Sequence, residues 1–259
     1  MISGRPATIL FYPVDPRANG YDYTIKLICH FLGYKITTVP GRGKRLVMRW
    51  EDTTHGRMDA RLAELARAGE VINLRCTDIS KKRVDEVHKA VFGYSASVDP
   101  LVYEGDCVEK SDENGKADGR IVRCPLVEAR SGCVYQIRIN CQVDDEFVDE
   151  MRTPVFGGAI PLVLIKYKLL SAPFSYSVKG AVAELEDCMS PEEAQKVLQF
   201  CKTIGLDCGE LDVLRDRTDN RLYIVDANNT PTYRFEGYSK KQQRQIIQRM
   251  ARAFDAAFP

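Results

Sequence analysis

Histidine is scarce in this chain, with only His30, His55 and His88 among 259 residues. None stands with cysteine at ligand spacing, which argues against a zinc site. No CxxC pair occurs either. The nine cysteines are odd in number, irregularly spaced and set among apolar neighbours, as in "LICHF" and "VLQFC". They read as small buried hydrophobes kept reduced. Net charge is nearly absent: 37 Lys and Arg against 36 Asp and Glu leave +1. That gives no electrostatic reason to expect nucleic acid or an anionic membrane as partner. Long hydrophobic runs are missing too. The longest, "AIPLVLI", is far too short to span a bilayer. The start, "MISGRPATILFYPV", lacks the basic opening and apolar stretch of a signal peptide. The expected location is therefore cytoplasmic. No Ser/His/Asp or Cys/His signature marks a protein nucleophile. What remains is a chain long enough to bury a substantial core, as one compact domain or two small ones.

The opening reads as a small α/β lobe over residues 1–75. "ATILFYPV" is a buried strand, and "DPRANGYDY" follows it. Open α/β sheets bind ligands beyond the carboxyl ends of their strands, so this loop is a candidate pocket wall. "YDYTIKLICHFLGY" predicts a helix with Tyr23, Leu27, Ile28 and Phe31 on its apolar face, stopped at Gly33. "KITTVP" is the next strand, "MDARLAELARAG" a short helix closed by Gly69, and "VINL" another strand. Trp50 reads as packing and His55 as a solvated loop residue.

The expected second unit covers residues 76–259. "DISKKRVDEVHKAVFGY" is a helix capped by Asp78 or Ser80. From Ser97 the pattern turns to β, and residues 97–140 form a smaller β-rich subdomain with a polar loop, "SDENGKADG", between two strands. "SPEEAQKVLQFCKTIG" carries a capping box of Ser190 and Glu193, with Pro191 as first helical residue and Gly205 as stop. The final helix puts Ile246, Ile247, Met250 and Phe254 on one face and a basic run on the solvated face.

The chemistry concentrates in "GELDVLRDRTDNRLYIVDANNTP". An antiparallel hairpin turning near Asp219 sets Asp212 opposite Asp226. Asp226 and Asn228 then share a face, while Leu211, Val213, Val225 and Ala227 look the other way. Two opposed carboxylates repel each other, and burial raises that cost unless a cation lies between them. Magnesium suits such a site, taking a few carboxylate oxygens and completing its shell with phosphates. The plain alternative is a polar strand end in solvent.

This hairpin resembles the late motif of the ATP-grasp superfamily, an Asp-bearing strand followed by an (E/D)-x-N strand end and a nearby proline. The resemblance implies a mixed α/β and α+β ATP-grasp fold with ATP and Mg2+ as cofactors. It implies metal ligands at Asp212, Asp226 and Asn228, with Asp226 shorter than the usual Glu. "DISKKRV" resembles the segment whose lysine reaches phosphate, here Lys81. "CVEKSDENGKADG" resembles the strand lysine and the loop over the triphosphate, here Lys110 with backbone donors near Asn114, Gly115 and Gly119, and Lys116 as an added charge. Gln136 falls where the adenine-contacting strand belongs. "DEMRTPVFGGAIPLVLIKYK" is similar to the glutathione synthetase pattern of an Arg and a second cation, implying Arg152 and Lys166 as catalytic residues, with Lys168 beside the latter. Glu210 departs from the arginine that D-alanine–D-alanine ligases carry two places before the first metal-ligand Asp. The plain alternative for Arg152 is an ion pair with Asp149 or Glu150; for Lys81 it is an exposed helix start.

The reading implied is an ATP-dependent ligase joining a carboxylate to an amine through an acylphosphate, on amino acid or peptide-like substrates. Its partners would be those small molecules, with neither nucleic acid nor membrane, and with homodimer formation left open. The alternatives are a phosphotransferase of the same fold and a protein that binds ATP without chemistry.

Overall fold

The computed structural model describes residues 8–18, 20, 22–39, 46–232, 235 and 237–259. Residues 1–7, Asn19, Tyr21 and Pro40, which fall within stretches read above, lie outside them.

The chain opens with strand β1 (Thr8–Pro13), helix α1 (Thr24–Leu32), strands β2 (Lys35–Thr37) and β3 (Leu46–Trp50), helix α2 (Ala60–Ala68) and strand β4 (Val71–Ile72). The four strands form a parallel sheet in the order β2-β1-β3-β4. β3 sits between β1 and β4 and is the strand that "LVMRW" failed to signal. Its Arg49 disguises it. That guanidinium is buried, donating to the carbonyls of Leu74 and Cys76 and to Glu51. Trp50 is core, packed edge-on against Phe11 and Tyr23.

α1 ends where expected, at Gly33, whose positive φ of 73° most other residue types would resist. Of the expected face, Tyr23 and Ile28 are buried and Leu27 packs against them, but Phe31 does not. Ile25, Ile28 and Cys29 are buried, Leu27 is partly buried, and Phe31 is 50% exposed. The face that packs is set by the last helix, against which α1 lies.

The rest of the chain runs α3 (Lys81–Phe92), β5 (Gly105–Ser111), β6 (Arg120–Cys124), β7 (Cys133–Ile137), β8 (Phe147–Phe156), β9 (Val163–Leu169), β10 (Lys179–Ala183), α4 (Leu185–Cys188), α5 (Pro191–Ile204), β11 (Cys208–Arg215), β12 (Leu222–Asn228) and α6 (Lys240–Ala257). β5, β6 and β7 form a small antiparallel sheet in the order β6-β5-β7. The large sheet is antiparallel, in the order β10-β9-β8-β11-β12. α3 starts at Ser80, which accepts from the Arg83 amide; Asp78 instead accepts from the Ser80 amide. α5 has the expected capping box.

Two apolar clusters hold the large sheet. On one face Met151, Val155, Val163, Leu211, Val213, Ile224 and Ala227 meet Val84 and Val87 of α3 and Val197, Phe200 and Ile204 of α5. The other cluster joins Phe156, Leu164 and Cys208 to Ile246, Met250 and Phe254 of α6 and to the first sheet. Asn73 ties the first sheet to β11. Its side-chain oxygen accepts from the amides of Asp207 and Cys208, and its amide group donates to the Cys208 carbonyl. It does so from a positive φ of 61°.

Candidate functional site

The register of β11 and β12 pairs Asp212 with Asp226 and Glu210 with Asn228. The next pair is Val213 with Ile224, so Val225 is an extra residue. This is a β-bulge, which leaves one residue unpaired and bends the strand. It corrects the expected alternation. Ile224 and Ala227 pack with Leu211 and Val213, whereas Val225 turns to the opposite side, with Tyr223 and Ala96. The Val225 carbonyl, unpaired on this ladder, accepts from Lys110 Nζ at 3.3 Å.

Neighbouring strands extend the charged face. Arg152 of β8 is the cross-strand partner of Asp212, and Glu150 is the partner of Lys166 on β9. Residues two apart share a face of a strand. Lys166 and Lys168, Glu150 and Arg152, Glu210 and Asp212, and Asp226 and Asn228 therefore line one surface.

The contacts are specific. Arg152 Nε and Nη2 donate to the two oxygens of Asp212, at 2.9 and 3.2 Å. Arg152 Nη1 lies 3.3 Å from Glu210 Oε2. Glu150 holds Lys168 at 2.7 Å and Lys166 at 3.4 Å, and Lys166 Nζ is 4.0 Å from Asp212. Arg152 thus pairs with neither Asp149 nor Glu150; Asp149 is held by Arg217. Glu150 was missed by sequence reasoning, although its place two residues before Arg152 puts it on the same face.

Burial sets the protonation of this surface. It pushes Lys110 down to about 8, against the pull of Asp226. It lowers Lys166 as well, aided by the neighbouring Arg152 charge. Burial also raises Asp226 and Glu210, against Lys81 and Arg152 respectively. At Asp212 burial is outweighed by Arg152 and Lys166, and its carboxyl is held well below the usual range. At Lys168 burial is outweighed by Glu150, and the ammonium is stabilised.

Lys81 is not an exposed helix start. It is 7% exposed, with Nζ 3.8 Å from Asp226 Oδ1 and donating to the Glu113 carbonyl at 3.0 Å. The loop 112–119 is thereby tied to the charged face. Within it, the Asn114 amide donates to Thr54 Oγ1, so this expected phosphate donor is already engaged. Gly115 has a positive φ of 74° and is exposed. Gly119 lies beneath Phe174, whose ring would stand 2.8 Å from any Cβ there. Lys116 reaches Glu113 at 2.8 Å instead of the charged face. Gln136 is buried in β7, paired with Val108, on the face of the small sheet that also carries Lys110.

Among the expected metal ligands, Asp226 has one buried oxygen, Oδ1, without a hydrogen bond. Asp212 spends an oxygen on each arm of Arg152, and Asn228 Oδ1 accepts from the Thr230 amide. Carboxylate and amide oxygens each have a second lone pair. The set fits a hard divalent cation that takes few protein ligands and completes its shell elsewhere. No group of three or more His, Cys, Asp or Glu side chains able to hold a metal occurs among the described residues. His55 is solvated, 3.4 Å from Asp78.

No protein-family model matches the sequence. No curated protein matches it by sequence either. Solved structures do match the fold. One is the ATP-grasp ligase PsnB complexed with minimal precursor, Mg and ADP, at a TM-score of 0.59 and 15% identity, over 94% of this chain and 98% of that one. Another is the Chryseobacterium gregarium RiPP-associated ATP-grasp ligase in complex with ADP and a leader and core peptide, at 0.54 and 13%, over 97% of each chain. A third is D-alanine–D-alanine ligase from Bacillus anthracis, at 0.51 and 12%, over 96% of each. The chain has the ATP-grasp fold. No helix among the described residues is long and apolar enough to cross a membrane.

Proposed function

We propose that this protein binds ATP with magnesium and joins a carboxylate to an amine, releasing ADP and phosphate. The observation that carries the reading is the convergence of Lys81, Lys110, Arg152 and Lys166 on the paired Asp212 and Asp226, with Asp226 Oδ1 buried and without a hydrogen bond. Lysines so placed neutralise phosphate charge, and backbone groups of a tied loop cover it. Lys81 and Lys110 would hold the phosphates. Arg152 and Lys166 would stabilise the transferred phosphoryl group and the oxyanion at the attacked carbonyl. Asp226, Asp212 and Asn228 would hold magnesium. When bound, the ion would neutralise charge on the phosphates.

In the reaction proposed, a substrate carboxylate oxygen attacks the γ-phosphorus and the bond to ADP breaks. The resulting acylphosphate is attacked by an amine, phosphate leaves, and the amine loses a proton. No protein nucleophile is required. A peptide-like substrate is supported by the solved ligases of this fold that are complexed with precursor or core peptides.

The test is thermal shift with ATP, with and without magnesium, on the wild type and on Asp226→Ala. Ligand at 100 times its dissociation constant stabilises by about 2.7 kcal/mol. The expected result is a magnesium-dependent shift in the wild type that the variant loses. No response of the wild type to ATP at any concentration would sink the reading. The phosphotransferase alternative differs in releasing ADP without an added amine.

A further inference from the structure

We infer that Glu210 and the wall beside it form the subsite for a positively charged primary amine, the ammonium form of the acceptor. This rests on the ligase reading above and adds to it the chemistry of the second substrate.

Glu210 is 4% exposed, and no hydrogen bond reaches its Oε2. It lies on the same face of β11 as Asp212, beside Arg152 and opposite Asn228. The single guanidinium of Arg152 serves two carboxylates. Its aligned hydrogen bonds both go to Asp212, and Nη1 only approaches Glu210. One buried carboxylate oxygen is thus left without an aligned donor. Such an atom costs free energy in the empty protein and is recovered by a ligand that donates to it.

The surroundings say which ligand. The Thr24 hydroxyl reaches the Glu210 carboxylate from the start of α1. The adjacent backbone is pinned by the Thr24 amide donating to Pro231 and by the bridge between Tyr23 and Thr232. Asn228, across from Glu210, accepts from the Thr230 amide, and the Thr230 hydroxyl donates to Asp52. Asp52 stands just past β3, at the carboxyl end of the parallel sheet, and also accepts from Tyr23. A second carboxylate, from the first sheet, is thus linked through Thr230 to the strand end opposite Glu210. This end carries the carboxylates of Glu210 and Asp52, whereas Lys81 and Lys110 stand by Asp226 and Val225 at the other, with Arg152 and Lys166 between them. An ammonium has three donors and no acceptor, which matches the first end and is repelled by the second. A carboxylate has the opposite preference. The charge division thus places the amine between Glu210 and the lobe containing Asp52.

The experiment uses two probes of nearly equal shape, L-alaninamide, a cationic primary amine, and lactamide, its uncharged hydroxyl counterpart. Each is titrated by calorimetry into full-length protein saturated with magnesium and ADP, wild type and Glu210→Gln. Saturation is checked separately for each protein. The expected result is that wild type binds alaninamide at least tenfold more tightly than lactamide, and that Glu210→Gln loses that preference. Equal binding of the two probes, no binding of alaninamide to the saturated wild type, or an undiminished preference in Glu210→Gln would each overturn the inference. Failure of magnesium and ADP to bind at all is a different result. It removes the ligase reading itself, and this subsite with it.

Discussion

Replacing Arg152 with Met should be the most damaging single change on the charged face. The guanidinium side chain is 16% exposed, and its partners Asp212 and Glu210 are 17% and 5% exposed. Removing one partner of a buried ion pair leaves an uncompensated charge and costs about 3–5 kcal/mol. For a chain of this size each kcal/mol moves Tm by about 2–4 °C, so the expected fall is roughly 6–20 °C at pH 7. Arg152 holds the Asp212 carboxyl below its ordinary range. A depressed carboxyl contributes stability above its unfolded value, and that contribution is lost as pH falls through the folded value. The gap between wild type and Arg152→Met should therefore be full at pH 7 and narrow below about pH 4. Pairing the change with Glu210→Gln removes one of the two stranded charges and should recover part of the loss. Scanning fluorimetry across pH reads all three proteins. A fall of under about 2 °C at pH 7 would mean that solvent screens this cluster, and the argument from burial would fail.

Lys110 and His88 give two further tests. Lys110 is held at about 8 by burial, so near pH 8 about half of it is neutral in the free protein. Binding of a polyphosphate favours the charged form and should draw in roughly half a proton per ADP at pH 8 without metal. Calorimetry in two buffers of different ionisation enthalpy measures this, and Lys110→Arg, always charged, should show none. Equal uptake by the two proteins would refute the assignment. His88 is fully buried, stacked on Phe92, and pushed down to about 4 by burial. Because its folded value is below the unfolded one, stability is lost as pH falls from about 6.5, amounting to about 2 kcal/mol by pH 5. His88→Phe should abolish that part of the acid sensitivity in a Tm against pH series, whereas parallel curves for the two proteins would contradict it.

How far the sequence could be read depended on the range of each interaction. The hairpin register followed from a turn and a period of two, both local, and the pairing of Asp212 with Asp226 is observed. The bulge was invisible, because nothing in "LYIVDANN" distinguishes an extra residue from a regular one. The carbonyl it frees is the acceptor for Lys110, 115 residues earlier in the chain. The helix caps at Ser190 and Gly205 were legible for the same local reason. α1 was misassigned at Phe31 because several faces of "TIKLICHFL" are apolar, and contact with α6 selects among them. β3 was missed because a buried arginine interrupts its apolar pattern.

The charged face shows the same limit at the level of chemistry. Arg152 and Asp212 are 60 residues apart in sequence, and only the β8–β11 register makes them neighbours. Residue types alone offered Arg152 two nearer acids, Asp149 and Glu150. Alternation along β8 excludes Asp149, which points away and meets Arg217. Glu150 shares the face but is taken by two lysines across the strand. Arg152 is then left to β11, which offers it two carboxylates. Its position follows from sheet order before any ligand is considered. The same order sets Glu210 beside a guanidinium already committed to Asp212. A residue that reads in sequence as a departure from an arginine is, in the sheet, the acid left with an acceptor to spare.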